Sequence, residues 1–149
     1  MKKNILILAV LVGLISIGYL AFLLTTNENT SNSTKIIEQN IVKLKNENST
    51  AKFADITPFV WDKAFIIKDP FLDEEALDRI VGVKCNLDRL ETDIKRRIIF
   101  VNEGEFVFDY IYDIREFMYK YDGTTELTKN SSIIVENGTN KIMVLRIEQ

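Results

Sequence analysis

Seven carboxylates, Asp62, Asp69, Asp73, Glu74, Glu75, Asp109 and Asp113, are the side chains with which this 149-residue chain would have to move protons. Two of them set as acid and base would suit glycosidic cleavage. The chain contains no histidine, which removes Ser-His-Asp and Cys-His nucleophile systems and most zinc sites. It also contains no Gly-rich phosphate loop and no Asp-x-Asp-x-Asp-Gly calcium loop. Glu74 and Glu75 suit the start of a helix, and most acids are solvated surface. The expectation is therefore a protein that is not an enzyme and uses no cofactor or metal. A carboxylate-dependent cell-wall hydrolase is the catalytic alternative, and a self-protection protein that masks a toxin is another.

Trp61-Asp62-Lys63 is the most unusual local feature, because aspartate and lysine are disfavoured in strands. A period of two sends Trp61, Lys63 and Phe65 to one face and Asp62, Ala64 and Ile66 to the other. A buried Asp62 needs a partner, and Arg96 or Arg97 at the start of a later strand are candidate donors. One reading makes this a structural ion pair with Trp61 filling the core. The other makes Trp61, Asp62, Lys63, Pro70 and Phe71 an interaction site, with Trp61, Lys63, Pro70 and Phe71 rimming a groove for a peptide or cell-wall fragment. Phe106, Phe108, Tyr110 and Tyr112 form an aromatic row that serves either as core or as a ligand platform.

The elements that must position these residues follow from spacing. Phe59 to Ile67 is β-branched and aromatic and stops at Lys68-Asp69-Pro70, a strand ended by a turn. Asp73 is a candidate N-cap and Gly82 a helix stop, with Leu77, Ile80 and Val81 on the apolar side between them. Ile37, Ile41 and Leu44 give Lys35 to Asn48 an amphipathic helical pattern. Arg96 to Asn102 and Glu105 to Tyr112 flank Glu103-Gly104 as one hairpin, with both faces largely apolar, the mark of central strands. Ser132 to Glu136 and Lys141 to Ile147 flank Asn137-Gly138 as another, the last run being expected at a sheet edge. Together these predict an α+β domain: a mainly antiparallel four- or five-stranded sheet with one or two packed helices. Cys85, the single cysteine, precludes an internal disulfide and reads as a small buried hydrophobe.

Ile5 to Leu24 is an unbroken apolar run of twenty residues behind Lys2 and Lys3. At about 1.5 Å per residue it spans roughly 30 Å, the thickness of a bilayer's hydrocarbon. No small-x-small cleavage site follows it, which favours a retained single-pass signal-anchor over a cleaved leader. Lys2 and Lys3 precede the run, and the next basic residue is Lys35, a bias that puts the N-terminus in the cytoplasm and the rest outside the cell membrane. The expected organisation is an anchor over 1–24, a polar linker over 25–34 and an extracytoplasmic domain over 35–149. Past the anchor the chain carries a net charge of −5, which argues against a nucleic-acid partner.

Phe59-Val60-Trp61-Asp62-Lys63-Ala64-Phe65-Ile66-Ile67-Lys68-Asp69-Pro70-Phe71, followed by the acid-capped helix and the Glu103-Gly104 strand pair, resembles a group of small uncharacterised membrane-anchored bacterial envelope proteins. These share a Trp-Asp-Lys strand and a Pro-Tyr turn, and here Phe71 stands where tyrosine is usual. The resemblance implies an envelope location and carries over no catalytic residue. The expectation is an interaction module, tethered to the membrane and facing outward, that binds an envelope protein or a cell-wall polymer.

Overall fold

A computed structural model describes residues 30–121, 125–138 and 142–148. The Ile5–Leu24 run lies outside the described residues, and among these no helix is long and apolar enough to cross a membrane. The chain divides into two units, Met1–Ser33 and Thr34–Gln149. Of the first, residues 30–33 are described, and they are helical; the rest of the 25–34 linker, apart from Thr34, lies outside the described residues.

The second unit opens with helix α1, residues 34–47. Its Ile37, Ile41 and Leu44 are buried, as their spacing predicts. It stops where Asn48 turns left-handed at φ 50°, with the Asn48 and Ser49 N–H groups donating to the Lys45 and Leu44 carbonyls. Strand β1 (Thr50–Lys52) and a 3-10 turn (Phe53–Ile56) lead to β2 (Lys63–Ile67). Helix α2 (Glu74–Val81) is capped at both ends as its sequence predicts: Asp73 Oδ1 accepts from the Ala76 N–H at 2.9 Å, and Gly82 at φ 81° donates to the Asp78 carbonyl at 2.8 Å. Leu77 and Val81 are buried, but Ile80, expected beside them, is 46% exposed.

The remaining strands are β3 (Lys95–Asn102), β4 (Glu105–Asp113), β5 (Phe117–Tyr121), β6 (Glu126–Thr128), β7 (Ser132–Asn137) and β8 (Met143–Glu148). Both expected hairpins form, β3–β4 and β7–β8. Glu103 (φ 52°) and Gly104 (φ 79°) supply the two positive φ values that a two-residue type I′ connection requires.

The class is α+β, but the single sheet expected is two. One is antiparallel, in the order β4-β3-β2-β6, and the other is mixed, β1-β7-β8-β5, with β5 parallel to β8. The C-terminal strand is therefore central, flanked by β7 and β5, and the edge position expected for it is wrong. Three strands make up the difference: β1 and β6 are three residues each, too short to show a period, and β5 is five.

Both sheets and α1 contribute to one core, which holds Ile37, Trp61, Ile66, Phe100, Tyr110, Ile133 and Leu145 among others. The opposite face of the antiparallel sheet, Phe65, Ile67, Ile99 and Val101, is covered by Leu77 and Val81 of α2 and by Cys85. Strands β2 and β3 are thus apolar on both faces because both are covered, as the sequence of β3 predicts.

Candidate functional site

Trp61 is 1% exposed and belongs to the main core with Ala64 and Ile66, where its ring meets Phe53 and Phe100 edge-on. The strict alternation expected from Trp61 onward fails because β2 begins only at Lys63, and the two residues before it are not in the ladder. The indole N–H donates to Thr57 Oγ1 at 2.8 Å, which satisfies its polar end. Trp61 is core and does not rim a groove.

Asp62 finds neither expected arginine. Its Oδ2 accepts from the Glu103 N–H at 3.0 Å and its own N–H donates to the Val101 carbonyl, so it ties the entrance of β2 to the β3–β4 turn. Arg96 donates instead to the carbonyls of Asp93 and Lys95, and Arg97 to that of Asp88. A carboxylate that accepts a turn N–H leaves no trace in a sequence period. Lys63 pairs across the strand with Glu126 at 3.0 Å on exposed surface.

Pro70 is buried, and its carbonyl accepts from the Leu90 N–H. Phe71 beside it is 53% exposed, held in a tight turn by its N–H donating to Asp69 Oδ1. Of the five candidates, only Lys63 and Phe71 present exposed side chains, and nothing gathers the five into one groove.

Two hollows do open where β2 ends. One, about 310 Å³, lies on the α2 side and is lined by Lys68, Asp69, Leu72, Ile80 and Thr125 with Ile66 and Ile67. The other, about 190 Å³, is lined by Arg96, Tyr112, Ile114, Met118 and Tyr119 with the same Ile66, Ile67 and Lys68. Sequence reasoning named Phe71, which lines neither hollow, and missed Ile80 and Met118, exposed apolar side chains that do. A leucine or isoleucine on an apolar helix face gives no sign of which flank the sheet will cover.

The aromatic row also divides. Phe108, Tyr110 and Tyr112 enter the main core, whereas Phe106 packs on the α2 side. The register shifts between Phe100 and Val101, which pair with Phe108 and Phe106, so Val107 is an extra residue that reverses the alternation. Tyr112 stacks on Tyr110 and lies 4.7 Å from the Tyr119 ring, so the row belongs to the core, and of its members only Tyr112 also lines the smaller hollow.

Most of the candidate acids are engaged in structure. Asp73 caps α2, Glu75 pairs with Arg79, and Asp113 receives Arg115 through several hydrogen bonds that hold its carboxyl down at about 2. Asp109 is the exception in its surroundings: 13% exposed, it faces Arg97, 5% exposed, across 3.6 Å. Burial pushes its carboxyl up to about 6, against the opposing pull of Arg97. Burial and the nearby Asp78 likewise push the Cys85 thiol up to about 11, which keeps it protonated and inert, consistent with a small buried hydrophobe.

No protein-family model matches this chain, and no curated protein and no solved structure matches it.

Proposed function

We propose that this chain is an interaction module, tethered to the membrane by Ile5–Leu24 and facing outward, whose contact surface is the end of the domain where β2 passes into α2. The observation that carries the reading is the exposed Ile80, 46% accessible, lining the hollow of about 310 Å³ with Leu72, whose chain neighbour Phe71 is 53% accessible. Large apolar side chains beside a concave, partly apolar surface are what binding hot spots are made of. An envelope protein fits this surface better than a carbohydrate polymer, because protruding apolar side chains bury best against other apolar side chains.

The test is site-specific photocrosslinking in intact cells with the full chain. A photoreactive residue at position 71 or 80 should give one discrete adduct, and the same residue at position 42, exposed on α1, should not. Phe71→Glu should abolish the adduct formed from position 80. Equal adducts from all three positions, or none from 71 and 80, would refute the reading.

A further inference from the structure

We propose that the hollow of about 190 Å³ takes an apolar side chain of the partner polypeptide that has a carboxylate next to it. The inference rests on the interaction-module reading and specifies the partner's chemistry. Six apolar or aromatic side chains, Ile66, Ile67, Tyr112, Ile114, Met118 and Tyr119, form most of the lining, and the cations Arg96 and Lys68 stand among them. No carboxylate is among the described residues that line it. The volume is below the roughly 300–1,000 Å³ of pockets that hold a whole small molecule, and suits one large side chain.

Arg96 is fixed in advance. Its Nη1 donates to the Asp93 carbonyl at 2.6 Å and the Lys95 carbonyl at 2.7 Å. That uses two of the five donors of a guanidinium and places the rest without further loss of side-chain freedom on binding. The domain as a whole is acidic, so an acidic ligand is repelled elsewhere on its surface and favoured at this local cation.

A polypeptide, rather than a free small acid, follows from the second hollow. The two share Ile66, Ile67 and Lys68 as a common wall. A chain whose side chain fills the first hollow continues past Lys68 toward Leu72 and Ile80, the surface of the preceding proposal, whereas a small acid would leave that continuation unused.

The chain has three methionines, Met1, Met118 and Met143. Met118 lines the hollow and Met143 does not. The experiment uses the full chain in lipid nanodiscs, with its methionine methyl groups labelled with carbon-13. It is titrated with the acetylated, amidated tetrapeptide Gly-Phe-Asp-Gly and with its asparagine and lysine counterparts. The aspartate peptide should shift the Met118 methyl signal saturably and leave Met143 in place. The asparagine peptide should bind about fivefold to tenfold more weakly and the lysine peptide more weakly still. Arg96→Gln, with the Met143 signal unmoved as evidence of folding, should remove the preference for aspartate.

Equal response to all three peptides, equal movement of Met118 and Met143, or no response overturns the inference. If that happens while adducts from positions 71 and 80 persist, the interaction reading stands and only the pocket's role falls. If the Met118 preference holds but phenylpropionate, a free acid, competes with the tetrapeptide at equal concentration, the polypeptide occupant is overturned.

Discussion

Replacing Asp109 by asparagine should change how stability depends on pH, in a direction that the geometry dictates. Asp109 and Arg97 attract by charge, yet the 3.6 Å between Nε and Oδ1 exceeds a hydrogen bond. Among the described residues Arg97 Nε and Nη1 and Asp109 Oδ1 have no hydrogen-bond partner. A buried pair offsets its desolvation only when its geometry is excellent and its remaining polar atoms are satisfied. Here desolvation wins, and the carboxyl rises from 3.8 to about 6. At about 1.36 kcal/mol per pH unit, ionising Asp109 in the folded state costs about 3 kcal/mol. A carboxyl whose folded value exceeds its unfolded one contributes stability that is complete below the unfolded value and is lost as pH rises through the folded value. The window is therefore about pH 4 to 6. Asparagine cannot ionise, so Asp109→Asn should gain about 2 kcal/mol relative to the wild type between pH 4 and pH 7, whatever their difference at pH 4. Urea unfolding of the full chain at a series of pH values, followed by the emission of the buried Trp61, measures it. Parallel stability curves for the two proteins, or a relative gain for the wild type with rising pH, would refute the argument.

Asp62→Ala should lower stability by about 1.5–3 kcal/mol, because the Glu103 N–H loses a charged acceptor. A cost under about 0.5 kcal/mol in urea unfolding would show that the turn does not depend on it. Cys85 should alkylate at pH 8 much more slowly in the native protein than in urea, since the buried thiol stays protonated. Equal rates of iodoacetamide incorporation by mass spectrometry would contradict its placement.

Local chemistry was legible in the sequence wherever a residue's own neighbours determine its conformation. The Asp73 cap and the Gly82 stop act within one or two turns, and the Glu103-Gly104 connection requires positive φ at adjacent residues, so each is written in consecutive letters. The spacing of Ile37, Ile41 and Leu44 records a buried helix face in the same way. Pairing between distant segments is not written there. That β5 lies parallel to β8, making the C-terminal strand central, depends on Phe117–Tyr121 finding Met143–Ile147 across a long stretch of chain. Two apolar strands do not specify each other as partners.

The candidate site failed for a related reason. Trp61, Asp62, Lys63, Pro70 and Phe71 are close in sequence and chemically suggestive, but proximity along a chain that enters a strand, leaves it and turns does not make one surface. The start of β2 at Lys63 sends Trp61 into the core, and the turn at Pro70 buries the proline while leaving Phe71 exposed. The single extra residue at Val107 has the same effect on β4, where a row that would share one face divides between two cores. The surface that does form is assembled from β2, α2, β3 and β5, and its residues Ile80, Arg96 and Met118 are ordinary in their own segments. They become distinctive only because two sheets and a helix meet beside them, leaving apolar side chains uncovered next to a guanidinium that the backbone has already fixed in place.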